Sequence, residues 1–138
     1  MVNGIARDPD EADGWCVVAI LDDDHAFREA LAGGIGSFGY EVVELPSPEA
    51  LFEFLPRPGL ACLVLDYDLP GQNGLEVQAV LAEREPDLPI VFLSACMDDR
   101  VSRAALAAGA VAFLTKPTRL KDLAQIIRTL VTEDGEPA

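Results

Sequence analysis

Five short apolar runs of strand length recur along this sequence, and each gap between them carries the spacing of an amphipathic helix. The runs are WCVVAIL (15–21), YEVVEL (40–45), LACLVL (60–65), LPIVFLS (88–94) and AVAFL (110–114). Most lack the period-2 alternation of a strand with one wet face. Both faces are therefore expected to be covered, as in a parallel sheet flanked by helices. Within the gaps, Phe27, Leu31, Ile35 and Phe38 recur every three or four residues, as do Leu51, Phe54 and Leu55, then Val77, Val80 and Leu81. Leu120, Leu123, Ile126, Ile127 and Leu130 form the clearest stripe. Ser47 followed by Pro48 predicts an N-cap with proline in the first turn. A fourth helix over about 98–108 is expected to turn Val101, Ala104, Ala105 and Ala108 inward. The first helix is locally weak, because Gly33, Gly34 and Gly36 each cost about 1 kcal/mol relative to alanine in a helix interior.

Strand and helix alternating five times predict a doubly wound α/β domain with helices on both faces of a five-stranded parallel sheet. In such sheets ligands bind beyond the carboxyl ends of the strands. Asp22, Asp23 and Asp24 follow the first run, Asp66 the third, Ser94 ends the fourth, and Lys116 lies just past the fifth. Taken singly, each has an ordinary use: helix capping by the aspartates, a turn at Asp66, a loop hydroxyl, a solvated lysine. Together they put several carboxylates at one edge, where they repel one another unless a cation sits among them. All-oxygen ligands of this kind suit Mg²⁺. A lysine and a hydroxyl beside such a centre are what a phosphoryl group requires around it.

At 138 residues the chain fits one domain, expected over 15–132, with a flexible segment at 1–14 and an acidic tail at 133–138. Twenty-four acidic against ten basic residues, a net charge of −14, disfavour direct binding to nucleic acid or to anionic lipid. No apolar run approaches the roughly 20 residues that span a bilayer. The first residues lack the basic and apolar regions of a secretory signal, so a cytoplasmic location is expected. Cys16, Cys62 and Cys96 are scattered singly, without the spacing of a zinc site. They read as reduced thiols.

The segments AILDDD, LVLDYDLPGQNGLE, VFLSA and AFLTKP, in this order, resemble the receiver domains of bacterial two-component response regulators over about residues 15–132. DLPGQNGLEVQ and AGAVAFLTKP are most similar to receivers that often precede a helix-turn-helix output domain, which leaves open a stand-alone receiver or a piece of a larger regulator. The resemblance implies a flavodoxin-like sheet with strand order 2-1-3-4-5. It also implies that Asp66 accepts a phosphoryl group from a sensor histidine kinase or a histidine phosphotransfer protein. Asp22 and Asp23 match the family's acidic pair, with Asp23 and Asp66 as direct ligands of Mg²⁺, or of Mn²⁺ in its place. Asp22 would act mainly through water, and the backbone carbonyl of Asp68 would complete the shell. Lys116 and Ser94 match the groups that steady the phosphoryl oxygens, and the Lys116–Pro117 bond is expected to be cis.

By the same resemblance, Ser94 and Phe113 form a switch. A downstream protein would dock on the face of the fourth helix, fifth strand and fifth helix, and a homodimer is the further partner state left open. The domain would catalyse its own aspartyl phosphorylation and a slow dephosphorylation, with the charge of Lys116 needed only once the phosphoryl oxygens arrive. Asp24 falls at the family's variable third acidic position and is read as a helix cap. Asp68 places an anionic side chain where hydrolytic water would approach. Cys96, near the pocket rim, offers redox control as the alternative to a plain thiol, and His25 reads as a solvated residue at the start of the first helix. LVLDYD also resembles the motif of haloacid-dehalogenase-like phosphatases, but in that family the acidic pair follows the nucleophile, whereas here it precedes it. A degenerate receiver that binds partners without phosphorylation would have lost part of the acid pair, acceptor and lysine, all of which are present.

Overall fold

The computed structural model describes residues 16–95 and 98–131. The expected end segments, 1–14 and 133–138, and Cys96 lie outside the described residues. Five strands and five helices alternate: β1 (Val17–Leu21), α1 (His25–Gly36), β2 (Glu41–Leu45), α2 (Pro48–Phe54), β3 (Leu60–Asp66), α3 (Gly74–Arg84), β4 (Ile90–Ser94), α4 (Asp99–Ala107), β5 (Ala112–Thr115) and α5 (Leu120–Leu130). All pairings are parallel, in the order β2-β1-β3-β4-β5.

Alternate residues of the strands feed two separate cores, which is why the sequence lacks a polar face. Ala19, Leu21, Leu63, Leu65 and Phe92 pack with Leu51 of α2, Val77 and Leu81 of α3 and Ala105 of α4. Val18, Ile20, Cys62, Val64, Val91 and Leu93 pack on the other side with Leu31 and Ile35 of α1 and Leu123, Ile127 and Leu130 of α5. Each fully buried Leu, Ile or Phe is worth about 2 kcal/mol relative to exposure, so the two layers fix the sheet between them. Of the α1 glycines, Gly34 is required by packing: it sits against Leu120 of α5, where a Cβ would come within 2.6 Å of a Leu120 methyl.

Two inward faces differ from the sequence expectation. Phe38 does not join the α1 stripe: the helix stops at Gly36, Ser37 caps it, and Phe38 is 52% exposed in the turn into β2. In α4 only Ala105 is buried, with Val101 partly covered and Ala104 and Ala108 exposed. Val101 and Ala105 are four residues apart and share a row, while Ala104 and Ala108 form a neighbouring row rotated away from the sheet. Among the described residues no helix is long and apolar enough to cross a membrane.

Candidate functional site

β1 and β3 carry their apolar runs straight into buried carboxylates at the carboxyl edge of the sheet. Asp22, one residue past β1, is 1% exposed, and Asp66, the last residue of β3, is 3% exposed. Turns of the backbone hold both: Asp24 N–H donates to Asp22 Oδ1 at 2.9 Å, and Asp68 N–H donates to Asp66 Oδ1 at 3.0 Å. Asp23 is exposed, and ligand oxygens of Asp22, Asp23 and Asp66 all lie within 4.8 Å of one another. Asp24 turns away and caps α1, accepting from Phe27 N–H at 3.1 Å.

Lys116 reaches this cluster from the loop after β5, and its peptide bond to Pro117 is cis. Its Nζ donates to Asp22 Oδ2 at 2.9 Å and lies 3.5 Å from Asp66 Oδ1. The ammonium also sits 4.4 Å from the centre of the Phe27 ring, a cation–π contact that aims it. Burial opposes the charge on Lys116, but the hydrogen bond to Asp22 and the two carboxylates outweigh it, so the lysine titrates above its ordinary range. Its ammonium is thus already paired with both carboxylates. The Asp66 carboxyl is pushed up to about 6, first by burial and then by the neighbouring Asp22, against the lowering effect of the Asp68 N–H bond and Lys116.

The other face of the site is built by β4. Asp66 pairs with Leu93, and Tyr67 N–H donates to Leu93 O at 2.9 Å, which places Ser94 beside the segment that follows Asp66. The buried Ser94 hydroxyl donates to Asp68 Oδ2 at 3.0 Å, and Ala95 N–H donates to the same oxygen at 3.1 Å. The Asp68 carboxylate lies outside the three-aspartate cluster and holds the end of β4, which leaves its expected role through the backbone carbonyl untouched. Phe113 on β5 stacks on Phe92 at 5.6 Å and lies 6.5 Å from Tyr67.

Arg28 is the residue the sequence reading missed. It is 8% exposed, donates from its NH1 group to Asp22 O at 2.7 Å, bonds Glu44 at 3.2 Å through Nε, and has its NH2 group 3.0 Å from His25 Nδ1. It ties α1 and β2 to the backbone of the acidic pair. The signal was present: Arg28 lies three and seven residues before Leu31 and Ile35, on the apolar face of α1. His25 is exposed yet partnered, by Arg28 and, at 4.0 Å, by Glu29. Gly74 at the start of α3 is a second omission. A Cβ there would meet Tyr67 Cα at 2.9 Å and Asp66 O at 3.1 Å, so only glycine lets α3 start this close to the end of β3.

Chemically, the site offers a buried carboxylate, a fixed ammonium, a hydroxyl paired with a backbone N–H, and three carboxylates of the kind that hold a hard cation. A family model described as the response regulator receiver domain matches residues 18–128. Response regulator protein TmoT of Ectopseudomonas mendocina is 40% identical over 113 residues, which cover 82% of this chain and 51% of that protein. Response regulator protein TodT of Pseudomonas putida is 38% identical over 117 residues, 85% of this chain and 52% of that protein. The chain thus spans about half the length of the curated relatives it matches. A CheY-like receiver domain protein from Methanospirillum hungatei superimposes with a TM-score of 0.81 at 22% identity, covering 90% of this chain and 99% of that one.

Proposed function

The chain belongs to the response regulator receiver domain family, and from that premise we propose that it is a phosphorylation-dependent switch of a two-component system with Asp66 as its acceptor. The observation that carries this reading is Lys116 lying between Asp22 and Asp66 while Asp23 closes the carboxylate cluster. The donor set fits Mg²⁺, which Asp23, Asp66 and the carbonyl of Asp68 would hold directly and Asp22 mainly through water; when bound, the ion would supply positive charge to the phosphoryl oxygens.

The ionised Asp66 carboxylate is the nucleophile. A carboxylate oxygen attacks phosphorus, and the P–N bond to the donor histidine breaks. The imidazole leaves with that electron pair and takes up a proton, and an acyl phosphate remains on Asp66. Lys116 faces the new anionic oxygens, and Ser94 supplies a hydroxyl hydrogen bond to one of them. Added charge of about −1.5 to −2, by analogy with other phospho-residues, then biases the segment from Ser94 to Phe113. The phosphoryl donor is a sensor histidine kinase or phosphotransfer protein in the cytoplasm. The reader is a protein docking on α4, β5 and α5, or a second copy of the chain.

Incubation with acetyl phosphate and Mg²⁺, followed by intact mass, tests the reading. A gain of about 80 Da, as expected for one phosphoryl group, should require Mg²⁺ and vanish in Asp66→Asn. No gain in the wild type, or an equal gain in Asp66→Asn, refutes it.

A further inference from the structure

The Asp68 carboxylate draws together the Ser94 hydroxyl and a second donor, the Ala95 amide. Its Oδ2 accepts from Ser94 Oγ–H at 3.0 Å and from Ala95 N–H at 3.1 Å, so one anionic oxygen sits in a cradle made by a hydroxyl and the next backbone amide. The same residue's N–H is bonded to Asp66 Oδ1 at 3.0 Å, which places this cradle against the acceptor. Two convergent donors, one of them a backbone N–H, are an arrangement suited to a phosphoryl oxygen.

We propose that the Asp68 side chain is an internal competitor for the phosphoryl group, a positioning residue that occupies the Ser94–Ala95 donor pair and holds the end of β4 in its resting form. This deepens the phospho-acceptor reading and rests on it. The exchange conserves hydrogen bonds: a phosphoryl oxygen on Asp66 takes over both donors, and the exposed Asp68 carboxylate is released to water. The clamp therefore lowers affinity for a phosphoryl group without blocking its chemistry. It also makes the release of Ala95, at the start of the α4 connection, part of the same event as phosphorylation.

Asp68→Ala removes both the charge and the acceptor, whereas Asp68→Asn removes the charge but keeps an oxygen that the two donors can use. The test is the affinity of the 138-residue chain and these two variants for beryllofluoride in Mg²⁺. Asp68→Ala should bind about tenfold tighter than wild type and Asp68→Asn less than about threefold tighter, since a hydrogen bond to a charged group is the quantity exchanged. The Ala95 amide should also lose hydrogen-exchange protection in unliganded Asp68→Ala and keep it in Asp68→Asn. Equal gains in the two variants would mean simple charge repulsion and overturn the clamp, as would no gain in either. Failure of the wild type itself to bind, or undiminished binding in Asp66→Asn, would instead bring down the acceptor assignment beneath it.

Discussion

At the scale of single residues, the resting site is a charge balance in which Lys116 stands between Asp22 and Asp66. Lys116→Met keeps most of the side-chain volume but leaves two buried carboxylates facing each other. It should destabilise the metal-free protein by about 2–3 kcal/mol, and Mg²⁺ should restore more stability to the variant than to wild type, because the ion replaces the missing charge. Thermal unfolding with and without Mg²⁺ checks this; equal Mg²⁺ increments in the two proteins would contradict it. Asp66 gives a pH test with a definite sign. Its folded-state value, about 6, lies above the ordinary 3.8, so its favourable contribution is fully present below about pH 4 and is lost as pH rises through 6. In the absence of metal, Asp66→Asn should therefore gain about 3 kcal/mol relative to wild type between pH 4 and pH 7, with little change above that. A pH-independent difference in denaturant unfolding would show that Asp66 ionises freely in the fold.

At the scale of elements, the loop from Asp66 to Gly74 sets the position of the Asp66 carboxylate. Asn73 caps α3 reciprocally with Glu76: its side chain accepts from Glu76 N–H at 3.0 Å, and Glu76 Oε1 accepts from Asn73 N–H at 2.9 Å. Gly74→Ala would press a methyl into Tyr67 Cα and Asp66 O, and it should cost about 1–3 kcal/mol in denaturant unfolding while slowing phosphorylation from acetyl phosphate. A variant as stable and as reactive as wild type would remove Gly74 from this role. The strands were legible because burial on both faces leaves unbroken apolar runs, and Ser47 and Asp24 cap α2 and α1 as their spacing implied. Helix faces were less legible where side chains are small: in α4 alanine spacing alone could not separate the buried row of Ala105 from the exposed row of Ala104 and Ala108. The convergence of Asp22, Asp66, Ser94 and Lys116 followed from strand ends. The partners of Asp68 and Arg28 did not, because a side-chain hydrogen bond across elements leaves no period in the sequence. Arg28 also broke the usual pattern by placing a charge on an apolar face.

For the whole molecule, phosphorylation at one sheet edge matters only if a distant face changes with it. Ser94 and Phe113 stand on adjacent strands, with Phe113 stacked on Phe92, and the proposed path runs from the Asp66 phosphoryl group through Ser94 to Phe113. α4 covers this path with a single buried residue of its own, Ala105, held through Gln78 Nε2 donating to Ala105 O at 3.0 Å. So thinly packed an element is the cheapest one to move. α2 and its neighbour β2 lie at the far side of the sheet, anchored by fully buried Leu51. The most direct test is hydrogen exchange of the whole chain in Mg²⁺ with and without beryllofluoride. Changes in protection should concentrate in residues 94–120 and be absent in Asp66→Asn. Changes centred on residues 47–55, with none around Phe113, would contradict the proposed path from the Asp66 phosphoryl site to the α4–β5–α5 face.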